Sequence, residues 1–231
     1  MGIIIGLGGG DCNGDSENIY SKFIEFTGKA NPRVLVLPTA RRDEPDSDLE
    51  EAEFFISRGC ETSFLRLTDE TLTKEEAEKA IDGADIIFVG GGNLKFLMDV
   101  WKRTGADKML IKAYNNGKVL GGTSSGMMCW FAEGYDDCGE NGAFMFVDAV
   151  GIIPFSSCPH FESGSWGSYE QAVKGRPYSG FGIENGAALI CRDGELSVMS
   201  GTDGGRIYLF DKDNGHIKEV YGGEAKKDNE I

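Results

Sequence analysis

The chain has 231 residues, 40% of them hydrophobic, including 14 Phe, 7 Tyr and 3 Trp. That is enough apolar mass for a full core, which excludes wholesale disorder. Lys and Arg number 23 against 38 Asp and Glu, a formal net charge of −15, so nucleic-acid and membrane-surface partners are excluded.

Residues 3–7 form a short apolar run that reads as a buried strand. Residues 15–27 read as a helix with Ile19, Phe23 and Phe26 on one face and Gly28 as its stop signal. A second strand follows at 33–38, an acidic helix at 46–57 ended by Gly59, and a third strand at 62–67. Thr73 and Glu76 form a capping box that opens a helix through Ile81. A fourth strand is read at 86–89. Leu94, Leu97, Met98 and Trp101 recur at i, i+3, i+4 and i+7, the signature of a helix face. Another helix is read at 106–114 and a strand at 119–120.

Fully apolar strands alternating with helices predict an α/β fold: three layers, with a mostly parallel central sheet and helices on both faces. From about Gly186 the pattern changes. Short strands at 187–191, 196–199, 207–210 and 217–220 are separated by Asp193-Gly194, Asp203-Gly204 and Asn214-Gly215. They predict antiparallel hairpins at the C-terminal end, added to the sheet edge. A single domain over 1–221 and a flexible tail at 222–231 are expected. The N-terminal apolar stretch lacks a basic region and runs into DCNGDSEN, so it does not read as a signal peptide. Six cysteines show neither Cys-x-x-Cys spacing nor a Cys/His cluster. They read as reduced thiols of a cytoplasmic protein with no metal site.

The chemistry concentrates in three places. Gly122-Thr123-Ser124-Ser125-Gly126 is a G-x-S-x-G directly after a strand. A nucleophile elbow needs this arrangement: a sharp strand-to-helix turn that raises one side chain above the sheet, with glycines where a Cβ would collide. That frame selects Ser124, and the Ser125 N–H faces any oxyanion formed there. Gly90-Gly91-Gly92-Asn93 ends the preceding strand, and its backbone amides can supply the other half of an oxyanion hole. The base must be a histidine, and there are only His160 and His216. His216 borders a hairpin turn, whereas His160 lies in a loop after an apolar run and is the better base. A third, orienting carboxylate is left open among Glu133, Asp136, Asp137, Glu140 and Asp148. The Gly6–Gly10 stretch fails the dinucleotide fingerprint and reads as a glycine-rich strand end lining a pocket.

Taken together, the chain resembles the peptidase E family of serine peptidases, which have a class I glutamine amidotransferase-like fold. The markers are IGLGGG at 5–10, LPTA at 37–40, FVGGGN at 88–93, GTSSG at 122–126, CPHF at 158–161 and GIENGAAL at 182–189. The resemblance implies Ser124 as nucleophile, His160 as base, Gly91 and the Ser125 N–H as the oxyanion hole, and Asp137 as third residue with Asp136 as its alternative. It implies no cofactor and a small peptide substrate, a dipeptide with N-terminal aspartate. An aspartyl side chain calls for a cation, and Arg41 and Arg42 at a strand end are the candidates. Self-association, where it occurs, is expected as a homodimer. Two departures stand out: the elbow reads Ser-Ser-Gly where the family has Ser-Ala-Gly, and residues 162–171 carry no arginine. A cyanophycinase-like hydrolase of aspartyl-arginine units and a non-catalytic binder of the same fold are the alternatives.

Overall fold

The structure is a computed structural model that describes residues 1–213 and 217–220. Its elements in chain order are β1 (Ile3–Leu7), α1 (Glu17–Thr27), β2 (Arg33–Leu37), α2 (Leu49–Ser57), β3 (Glu61–Phe64), α3 (Lys74–Gly83), β4 (Ile86–Val89), α4 (Leu94–Thr104), α5 (Ala106–Asn115) and β5 (Val119–Thr123). There follow α6 (Ser125–Met128), β6 (Phe131–Asp136), β7 (Met145–Asp148), β8 (Ile153–Cys158), α7 (Tyr169–Ala172), β9 (Gly180–Ile183), β10 (Ala187–Arg192), β11 (Glu195–Ser200), β12 (Ile207–Phe210) and β13 (Ile217–Val220).

The local signals act as their chemistry dictates. Thr73 Oγ1 accepts from the Glu76 N–H at 3.2 Å, and Glu76 Oε2 accepts from the Thr73 N–H at 2.9 Å, so the capping box starts α3. Gly28 ends α1 in the left-handed region at φ 65.

The central sheet has seven strands in the order β11-β10-β1-β5-β4-β2-β3. The five from β1 to β3 are mutually parallel, and β10 and β11 extend the edge antiparallel. Alternate residues of each strand serve opposite faces. Ile3, Ile5, Leu7, Val36 and Phe88 pack under α1 and α2 in an aromatic-rich layer with Tyr20, Phe23, Phe54 and Phe55. Ile4, Leu35, Leu37, Ile87, Val89 and Leu120 pack under α3, α4 and α5 on the other face. Burying each such side chain contributes about 1.5–3 kcal/mol, so both layers hold the sheet's strand ends in fixed register.

One part of the architecture departs from expectation. A second sheet of six strands, in the order β13-β12-β9-β8-β6-β7, shares a core with the α3–α5 face of the first through Phe131, Ile153, Phe181, Ile183 and Ile207. Of the four C-terminal strands expected at the sheet edge, β10 and β11 lie there. β12 and β13 belong to the second sheet, because β12 pairs with β9. A third cluster, Tyr135, Phe161, Tyr169 and Phe210, packs α7 and the loop after β8 onto this sheet. The expected tail at 222–231, His216 and the Asn214-Gly215 turn lie outside the described residues.

Candidate active site

The parallel strands β1, β4 and β5 are neighbours, so the loops leaving their C-terminal ends converge. From β5 the chain turns into α6 at Ser124, which stands at φ 55, ψ −120. A serine seldom adopts this conformation, and here it is imposed by crowding. A Cβ on either Gly122 or Gly126 would run into the same atom, the Val89 carbonyl oxygen at the end of β4. The two glycines of the motif therefore let the elbow close on β4 and force Ser124 upward. Met127, Met128 and Cys129, all buried, fix the short helix beneath. Cys129 Sγ donates to Gly126 O at 3.2 Å, a packing role.

His160 reaches this serine from the second sheet. It follows β8, sits at φ 50 and donates its backbone N–H to Gly8 O at 3.2 Å. The glycine-rich end of β1 thus docks the histidine loop. At Gly9 a side chain would collide with the imidazole and with Asn185, so only glycine leaves room. Ser124 Oγ lies 2.9 Å from His160 Nε2, and His160 Nδ1 lies 2.6 Å from Asn185 Oδ1. With Nδ1–H donating to Asn185, Nε2 is left as acceptor for the Ser124 hydroxyl, the tautomer a general base needs.

The third position departs from the expectation. Asp137 is exposed, and the structure does not bring it to the imidazole. Its neighbour Asp136, the last residue of β6, is buried instead. Asp136 accepts the Leu94 N–H at 2.8 Å at the start of α4, and burial pushes its carboxyl up to about 6. Asn185, in the β9–β10 connection that passes from one sheet to the other, occupies Nδ1. Its neighbour Glu184 is drawn away by the Arg206 N–H at 2.8 Å and the Tyr208 hydroxyl at 3.1 Å. The signal for Asn185 lay in the GIENGAAL marker, to which sequence reasoning attached no role.

The glycine loop after β4 lies against the elbow. A Cβ on Gly91 would stand 3.2 Å from Ser124 Cβ and 3.7 Å from its Oγ. Among the described residues, neither the Gly91 N–H nor the Ser125 N–H donates to a backbone or side-chain acceptor outside the regular elements. Ser125 is fully buried, and its Oγ donates to Gly92 O at 2.7 Å.

The two candidate substrate cations separate. Arg42 lies over the Phe96 ring at 4.3 Å. Arg41, 51% exposed, ends the turn after β2, with its Nη1 3.6 Å from Asp48 Oδ1. Asp48 caps α2 at φ 58 with a fully buried side chain, and neither carboxylate oxygen has a hydrogen-bond partner. It sits over Gly90, where a Cβ would strike the carboxylate. Burial first, then Glu51 and Asp43 against the pull of Arg41, push the Asp48 carboxyl up to about 7. Nearby, Asp11, Cys12 and Glu50 bring one ligand atom each to within 4.8 Å of one another. Burial and the adjacent carboxylates push the Cys12 thiol up to about 12.

The comparisons with known proteins place the chain among peptidases. The family model described as peptidase family S51 matches residues 3–199. The uncharacterized peptidase YgaJ of Bacillus subtilis strain 168 is 30% identical over 223 residues, covering 94% of this chain and 95% of the relative. The uncharacterized peptidase Lmo0363 of Listeria monocytogenes is 26% identical over 196 residues, 78% of this chain and 92% of the relative. Among solved structures, a peptidase from an acI-B1 actinobacterium superimposes with a TM-score of 0.72 at 20% identity, covering 97% of this chain and 96% of that one. With the family's markers in order along its length, the chain belongs to peptidase family S51, the peptidase E family of serine-type peptidases.

Proposed function

We propose that this peptidase hydrolyses short peptides, dipeptides with N-terminal aspartate foremost, through a Ser124–His160–Asn185 relay. The observation that carries the reading is the 2.9 Å contact between His160 Nε2 and the Oγ of a serine held at φ 55 on a strand-to-helix turn. Ser124 Oγ attacks the scissile carbonyl carbon while Nε2 takes the hydroxyl proton. The tetrahedral oxyanion lies between the Gly91 and Ser125 N–H groups. On its collapse the carbon–nitrogen bond breaks, and Nε2 returns the proton to the departing amine. Water, deprotonated by the same Nε2, then attacks the acyl-serine and releases the acid and Ser124. Asn185 Oδ1 holds the ring in register through Nδ1–H, in the role an aspartate was expected to fill. A carbonyl oxygen orients without carrying charge, as in Cys-His-Asn relays.

Arg41 is the better-supported cation for an aspartyl side chain. It is exposed beside the glycine loop, whereas Arg42 is engaged with Phe96. The six unpaired cysteines fit a reducing compartment, and the cytoplasm is proposed on that basis. Among the described residues no helix is long and apolar enough to cross a membrane.

The test is turnover of aspartyl p-nitroanilide by the wild type, Ser124→Ala and His160→Ala. Both substitutions are expected to lower kcat by ~10³-fold or more. Hydrolysis that survives Ser124→Ala sinks the reading.

A further inference from the structure

The glycine loop that would carry one oxyanion donor is fastened on three sides. At its start, the Gly90 N–H donates to Leu37 O at 3.3 Å. On the β2 side, Gly92 stands at φ 145 where a Cβ would strike the Ala40 carbonyl, and the Asn93 N–H donates to Ala40 O at 2.9 Å. At its far end, Asn93 Oδ1 accepts the Phe96 N–H at 2.7 Å and anchors the loop to α4. These ties bind the loop to β2 and α4. The Ser125 hydroxyl supplies a side-chain tie to the elbow: it is fully buried and reaches across 33 residues of sequence to Gly92 O at 2.7 Å.

We infer that the Ser125 side chain is a positioning residue that couples the two halves of the oxyanion hole, setting the separation of the Gly91 and Ser125 N–H groups. This rests on the serine-peptidase reading above. Ser125 has two functions in one residue: its backbone N–H faces the oxyanion and its Oγ clamps the loop that carries the partner N–H. Donors aimed at developing charge lose effectiveness steeply with misplacement, because their contribution depends on preorganisation at hydrogen-bond distance. Alanine at 125 keeps the backbone N–H and removes the clamp. The Gly92 carbonyl, with its other neighbours unchanged, then lets the loop relax away from the elbow.

The experiment compares wild type and Ser125→Ala in kcat and KM on aspartyl p-nitroanilide, and in the second-order rate of Ser124 labelling by a fluorophosphonate. Labelling reads the oxyanion hole independently of peptide specificity. The expected result is about a tenfold loss of kcat with KM within about twofold, and a matching loss of labelling rate, at a temperature well below unfolding of either protein. Unchanged kcat and labelling rate overturn the proposal. So does a loss seen only where thermal denaturation shows the variant partly unfolded, since that is a structural effect. A wild type that neither turns over nor labels removes the serine-peptidase reading itself and the proposal with it. A wild type that labels but ignores aspartyl anilide overturns the substrate assignment alone, and the labelling ratio then decides on Ser125.

Discussion

Replacing Asp48 by Asn should make the protein more stable, and increasingly so as pH rises. The Asp48 carboxyl is fully buried with both oxygens unbonded, and burial, Glu51 and Asp43 push it up to about 7 against the pull of Arg41. A carboxyl whose folded-state value lies above its unfolded one, about 4, holds its proton more tightly when folded. Its effect on stability is nil below about pH 4. Stability is then lost progressively as pH climbs from about 4 to about 7, and the loss is complete above that. At about 1.4 kcal/mol per pH unit the gap amounts to about 4 kcal/mol at pH 8 and about 1.5 kcal/mol at pH 5. Asparagine mimics the protonated acid, and it tolerates φ 58 at the α2 cap at least as well as aspartate. Urea denaturation followed by circular dichroism at pH 5 and pH 8 reads the difference between variant and wild type. An advantage that grows from about 1.5 to about 4 kcal/mol is the expected result. An offset equal at both pH values, or no offset, would refute it, because Asp48 would then ionise alike in the folded and unfolded chain.

Two further outcomes follow from the site and the second sheet. Asn185→Ala should lower kcat about 10- to 100-fold by freeing the imidazole, and Asn185→Asp should move the acid limb of the kcat/KM profile to higher pH, because a carboxylate stabilises the imidazolium; a steady-state pH series reads both. Arg176→Met should cost about 3–5 kcal/mol in chemical denaturation, because it strands the buried Glu133 carboxylate that Arg176 Nε and Nη2 both engage, and adding Glu133→Gln should recover part of the loss.

The parallel sheet was legible because its strands are short, wholly apolar runs set between amphipathic helices with clear caps. Ser124, the glycine loop and His160 were legible because a sharp turn, a close backbone approach and a scarce base each restrict residue type. Of the second sheet only β12 and β13 were legible as strands, and β6 to β9 were not. β6, β8 and β9 carry Gly134, Pro154, Gly180 and Gly182, and two buried acids, Glu133 and Asp136, whose partners come from distant segments. Polar residues on β6 read as a solvated loop unless Arg176 and the Leu94 N–H are known to face them. Asn185 was missed for a related reason. A carboxylate was sought for the imidazole, and the loop after β6 offered several, but Asp137 points outward there. An amide serves Nδ1 instead, from a segment 25 residues beyond the histidine.

The Ser124–His160–Asn185 relay joins three stretches of chain that no local structure brings together. The serine rises from the central sheet, the histidine hangs from β8 and leans on Gly8, and the asparagine lies where the chain leaves β9 for β10. During synthesis, then, Ser124 emerges some sixty residues before Asn185. β10 must slot in beside β1, the first strand made, before Asn185 can meet the ring. On the proposed mechanism, a nascent chain or fragment that stops short of β10 holds the serine and the histidine without the amide that orients the ring. Full turnover on that mechanism waits until β10, made late, has paired with β1, made first, so activity would report that folding is complete.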